Sequence, residues 1–215
     1  MTIEPDRLLW SESDVRLHMG TTSLDPWAWR WIPSDSPRSA VEVSATDAVA
    51  KVMGRKARRI PIGVIGPKEA TEEEYATAES LGSGLARLGV QMLCGGRSGV
   101  MEAACKGNLQ NGGSPIGLLP TEEWDSCNPY VAIPIATGIG PARNAIIARG
   151  CTVLIAVGGG YGTLSEIAYG LHFDRLVLTL GNAPFAAGTL PCADVDDALA
   201  RMARHLLFET AQGLS

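Results

Sequence analysis

The chain has 215 residues, 46% of them hydrophobic and 19% charged, with a formal net charge of -5. That length suits one α/β domain with a full core and is short for two ordinary ones, and the composition excludes a disordered chain. With only four lysines the sequence has no broad positive field, which argues against nucleic acid and membrane surfaces as partners but leaves room for a local anion site.

No apolar run approaches the roughly 20 residues needed to span a bilayer. The start, Met1 to Trp10, carries Glu4, Asp6 and Arg7 in place of a signal-type apolar stretch. The five cysteines are odd in number, widely spaced and without a C-x-x-C pair, so they read as small buried residues in a reducing compartment. The three histidines lack metal-ligand spacing, and no metal site is expected. The expected setting is the cytoplasm.

Residues 1–58 hold Trp10, Trp27, Trp29 and Trp31 with Pro26, Pro33 and Pro37, and show no sustained period. They read as a Trp-rich extension that wraps the domain or fills a subunit contact. The alternative is a lid whose indoles stack on a flat heterocycle. The basic run Lys51 to Arg59 reads as a solvated face or linker.

From Ile60 the pattern becomes short apolar runs separated by amphipathic stretches, the mark of repeated βα units, and residues 59–215 are taken as one domain. The runs cover 61–66, 90–94, 115–119, 131–135, 152–157 and 176–180, and their continuous apolarity suits parallel strands covered on both faces. Tyr75, Ala78, Leu81, Leu85 and Leu88 recur every three or four residues and predict a helix ending at Gly89. Similar stretches cover about 99–109, 141–149, 163–171 and 194–207, while 121–130 reads as a loop. Right-handed crossovers then give a Rossmann-like, doubly wound, mostly parallel open sheet in three αβα layers, with ligands beyond the carboxyl ends of the strands.

The segments that carry chemistry fall at those ends. Gly158-Gly159-Gly160-Tyr161-Gly162-Thr163 follows the fifth apolar run and leads into a helix, whose unpaired N–H groups favour an anion such as phosphate. Thr163 and Glu166 also have the spacing of a capping box, in which the glutamate would only cap the helix. Thr137 to Asn144 places Arg143 in the first turn of another helix, where it can clamp phosphate or form a surface salt bridge. Gly95, Gly96 and Arg97 follow the second run and Gly66-Pro67-Lys68 the first. A complete G-x-G-x-x-G after the first strand, a G-x-x-x-x-G-K-[ST] loop and a G-x-S-x-G elbow are all missing from the sequence.

The run G-G-G-Y-G-T-L-S-E at 158–166, with Arg143 and Asn144 upstream, resembles the P-G-G-x-G-T-x-x-E and R-K motifs of lysine-decarboxylase-like proteins, which include the Lonely Guy phosphoribohydrolases. Over roughly residues 60–180 the chain is more similar to the branch related to the molybdenum cofactor carrier proteins, where G-x-G-x-A-R-N replaces the R-K form. Asn144 stands where the hydrolases have lysine.

Three functions follow. In the first, the protein is a carrier-like binder of a phosphorylated nucleotide-type or molybdopterin-type molecule, requiring no cofactor of its own, with the molybdenum cofactor as a candidate cargo. Its ligand contacts would be Gly158, Gly159, Gly160, Tyr161, Gly162, Thr163, Gly66, Gly95, Gly96, Arg97 and Asn144, with Arg143 neutralising charge. In the second it is a nucleoside 5'-monophosphate phosphoribohydrolase, where the resemblance implies catalytic roles for Glu166 and Arg143. In the third it is a non-catalytic structural or interaction protein. Pyridoxal-phosphate decarboxylation is rejected, because no lysine has the setting of a Schiff base. The resemblance also implies a homo-oligomer, with contacts from the helices at 141–149 and 163–171.

Overall fold

The tryptophan-rich N-terminal residues form strands. In the computed structural model, residues 7–37 and 39–211 are described; the first six, part of the start read above for a signal stretch, lie outside them. The chain divides into two units, residues 1–59 with 200–215, and residues 60–199.

In the first unit β1 (Leu8–Ser11), β2 (Arg16–Met19), β3 (Thr22–Asp25), β4 (Arg30–Pro33) and β5 (Val41–Glu42) form an antiparallel sheet in the order β4-β3-β2-β1-β5. Gly20, at φ +58°, makes the tight turn between β2 and β3. α1 (Ala45–Met53) is capped by Ser44, whose hydroxyl accepts from the Asp47 N–H. Trp10, Leu17, Leu24, Trp29, Val49 and Met53 are buried. The indole N–H groups of Trp29 and Trp31 donate to the carbonyls of Leu206 and Leu207 at 2.9 and 2.8 Å. Trp10 and Trp29 are therefore committed to their own unit's core, which removes them from the lid reading. The basic run is used locally: Lys51 pairs with Glu12 at 3.1 Å, and Lys56 and Arg58 lie over the Trp27 ring.

The second unit begins with β6 (Pro61–Ile65) and α2 (Glu72–Arg87), which Thr71 and Glu74 start with a complete capping box. β7 (Gln91–Cys94), α3 (Val100–Gln110), β8 (Ile116–Leu119) and β9 (Ile133–Ala136) follow. The 121–130 connection contains one short 3₁₀ turn, Trp124–Ser126. Then come α4 (Arg143–Gly150), entered through a 3₁₀ turn at Gly140–Ala142, β10 (Val153–Val157), α5 (Tyr161–His172), β11 (Leu176–Leu180), β12 (Leu190–Pro191) and α6 (Val195–His205). The π-helical turn Leu206–Thr210 that follows α6 belongs to the residues grouped with the first unit.

The sheet is parallel throughout, in the order β12-β11-β10-β6-β7-β8-β9. Its winding reverses between β6 and β10. Right-handed crossovers on either side of that reversal put helices on both faces, with α2 packed on α3 and α4 on α5. β10 is central and buried at all five positions, as its unbroken apolar sequence requires. Leu154 and Ala156 of β10 join Ile65, Ile147, Ile167 and Val177 in the core beneath α4 and α5. Among the described residues no helix is long and apolar enough to cross a membrane.

Candidate functional site

The reversal between β6 and β10 opens a cavity of about 900 Å³ at the carboxyl ends of the strands. Loops from both halves of the sheet reach it, as the doubly wound topology dictates. Gly66 comes from the end of β6, Arg97 from the connection after β7, Arg143 and Asn144 from the start of α4, and Gly159, Gly160, Gly162, Thr163 and Glu166 from the start of α5.

At the centre stand Arg143 and Glu166, each 6% exposed. The guanidinium Nη1 is 3.8 Å from Glu166 Oε1, an ion pair too long for a hydrogen bond. Nε and Nη1 of Arg143 are buried without a hydrogen-bond partner. Gly95 explains how so large a cation reaches this place: a Cβ there would collide with the guanidinium, so glycine is the residue that lets it lie on the backbone after β7. Desolvation lowers the Arg143 pKa, against the pull of Glu166, yet arginine starts high enough to stay cationic at neutral pH. Burial pushes the Glu166 carboxyl up to about 7, although Arg143 pulls the other way.

Helix α5 begins three residues earlier than the Thr163–Glu166 capping-box spacing suggests. Its N-cap is Gly160, with no side-chain cap, so Thr163 lies inside the first turn and the capping box does not form. The competing explanation for Glu166 falls with it, since this carboxylate sits in the second turn and lines the cavity. Asn144 is partly committed within the protein: its amide donates to Ser165 Oγ at 2.9 Å, and Ser165 donates to the Gly162 carbonyl at 2.6 Å. This link ties the start of α4 to the start of α5.

Four of the predicted contacts do not line the cavity. Gly95 and Gly96 are buried, the first beneath Arg143 and the second packed against Leu119 and Gly117. Gly158 is buried at φ +56° with the Glu74 carboxylate against it, a position and conformation that no side chain suits. Tyr161 is 94% exposed. Glu74 and Thr121 line the cavity unannounced. The T-x-x-E spacing at 71–74 marks a cap, but nothing local says that the cap also faces a neighbouring loop. Among the described residues no group of three or more His, Cys, Asp or Glu stands close enough to hold a metal ion.

A parallel doubly wound sheet with a charged cavity at its reversal defines a Rossmann-like α/β protein. Residues 59–204 match the SLOG cluster4 family, and the chain belongs to that family. An uncharacterized protein of Archaeoglobus fulgidus is 46% identical over 119 residues, covering 55% of this chain and 78% of its own length. The molybdenum cofactor carrier protein of Chlamydomonas reinhardtii is 37% identical, with a TM-score of 0.63 over 70% of this chain and 99% of its own. The molybdenum cofactor binding protein of Rippkaea orientalis is 33% identical, with a TM-score of 0.62 over 67% of this chain and 96% of its own. The resemblance read from the G-G-G-Y-G-T-L-S-E run agrees with these relatives.

Proposed function

We propose that the chain binds a phosphate-bearing nucleotide-type or pterin-type small molecule in this cavity and acts as a carrier. The phosphate sits at the uncapped start of α5, on Gly160, Gly162 and Thr163, where helix N–H groups favour an anion. Arg143 supplies the countercharge, with Gly66 and Arg97 flanking the rest of the ligand. The observation that carries the reading is the buried Arg143 guanidinium, which has donors unused by the protein and faces the cavity. Likeness to two proteins named for molybdenum cofactor supports that cofactor as a cargo. Calorimetric titration with nucleoside monophosphates and molybdenum cofactor tests it. Binding that weakens at least about tenfold in Arg143→Met, the loss of one charge-assisted contact, supports the reading. Equal affinities in the two proteins would remove it.

A second reading, a phosphoribohydrolase, is favoured by Glu166, a buried carboxyl titrating near neutrality beside a cation and in the same cavity. Water would add to the ribose C1' as the N-glycosidic bond breaks, giving free base and ribose 5-phosphate. Chromatography separates the two readings. Base release that disappears in Glu166→Gln establishes hydrolysis, and tight binding without release leaves the carrier. We also propose a homo-oligomer in which exposed Ile146 and Tyr169, on α4 and α5, are covered by another copy. Sedimentation of the wild type beside Ile146→Asp checks this, a smaller species being expected for the variant.

A further inference from the structure

Glu74 adds a carboxylate to the cavity, apart from the Arg143–Glu166 pair. The capping box holds its carboxylate in place: Oε2 accepts from the Thr71 N–H at 2.8 Å, while Thr71 Oγ1 accepts from the Glu74 N–H at 3.2 Å. Oε1 stands against Gly158, in the space a side chain there would fill. Glu74 lines the cavity and, among the described residues, forms no ion pair. Lys68 and Glu69 also line it from the same connection, but both are exposed and opposite in sign. Since α2 and α4 cover opposite faces of the sheet, Glu74 and Arg143 enter the cavity from opposite sides.

A phosphate needs donors and positive charge, which Arg143 and the uncapped start of α5 supply, whereas Glu74 offers only acceptors. Whatever meets Glu74 has to bring donors. A carboxylate has about four lone-pair sites, so the Thr71 N–H leaves it able to take two more, and it holds parallel donors best. Resting on the phosphate-binding reading above, we infer that the ligand's heterocycle presents a 2-amino-4-oxopyrimidine edge, the edge shared by guanine and pterins, to Glu74. There the ring N–H and the exocyclic amino group lie side by side as two donors. Adenine places an acceptor nitrogen beside its amino group, hypoxanthine lacks the amino group, and uracil has one N–H between two carbonyls. A cavity of about 900 Å³ has room for either bicyclic ring with its phosphate.

The test is calorimetric titration of the full chain with ribose 5-phosphate, GMP, IMP, AMP, 6-hydroxymethylpterin phosphate and its lumazine counterpart, in which a carbonyl replaces the amino group. GMP is expected to bind at least about tenfold tighter than IMP or AMP, and the pterin by a similar factor over the lumazine, since each lost contact is a charge-assisted hydrogen bond. Whichever of GMP and the pterin binds tighter identifies the source of the shared edge. In Glu74→Gln the GMP-to-IMP ratio falls towards one; the variant keeps its fold because glutamine serves equally in a capping box. If ribose 5-phosphate binds but GMP, IMP and AMP are indistinguishable, this inference is overturned while the phosphate reading stands. If ribose 5-phosphate and every other ligand fail to bind, both are overturned.

Discussion

A guanidinium that is 6% exposed, ion-paired with Glu166 at 3.8 Å but with Nε and Nη1 lacking hydrogen-bond partners, is held at a cost in free energy, because a buried charge is well tolerated only when both paired and hydrogen-bonded. Replacing the pair together, Arg143→Met with Glu166→Leu, removes both buried charges and strands neither. The expected result is a protein more stable by about 1 kcal/mol or more in urea denaturation. Gly95→Ala should act in the other direction. Its Cβ displaces the guanidinium, so phosphate affinity falls about tenfold or more by calorimetry while β7 persists. Glu166 sets a pH dependence of its own. Its usual value is 4.5 and its folded value about 7, so between them the folded state binds more protons than the unfolded one. Stability is then greatest below the lower value, falls as pH rises through the window, and levels off above about 7. The contribution is of order 3 kcal/mol, and urea midpoints measured across this range should fall less steeply in Glu166→Gln.

At the scale of elements, the N-terminal sheet depends on the hydrogen bond from Trp29 to the Leu206 carbonyl, a link 177 positions long in sequence. Trp29→Phe retains most of the buried area but removes that hydrogen bond, and a loss of about 1 kcal/mol is expected in chemical denaturation. The same long link explains why this sheet is invisible in the sequence. Its strands have four residues or fewer, and buried and exposed positions do not alternate along them: in β2 the two buried residues are adjacent, and in β4 none is buried. The six strands β6 to β11 were legible for the opposite reason: each is a short apolar run, as in β10, which is buried on both faces, and each observed strand lies within a residue or two of its run, including the exposed edge strand β9. The two residues of β12 carry no such signal. The start of α5 was misread because T-x-x-E is a strong local pattern, whereas the observed cap is a glycine without a side chain. Arg143, Glu166 and the α5 loop were legible as motif residues. Glu74 was not, since its place beside Gly158 comes from the packing of β6 and β10 side by side.

For the molecule as a whole, one topological event organises the account. Reversing the winding between β6 and β10 splays the following loops apart, makes the cavity, and brings helix starts from both faces of the sheet to its rim. The rest of the fold serves to keep those helix starts in place, through the capping box of α2 and the Asn144–Ser165 link between α4 and α5. The most direct measurement is amide chemical-shift mapping of the ¹⁵N-labelled protein titrated with ribose 5-phosphate. The largest shifts are predicted at Gly160, Gly162 and Thr163, with the Arg143 Nε–H signal moving alongside them. Shifts that cluster elsewhere on the molecule, or saturable binding that leaves these four signals in place, would contradict it.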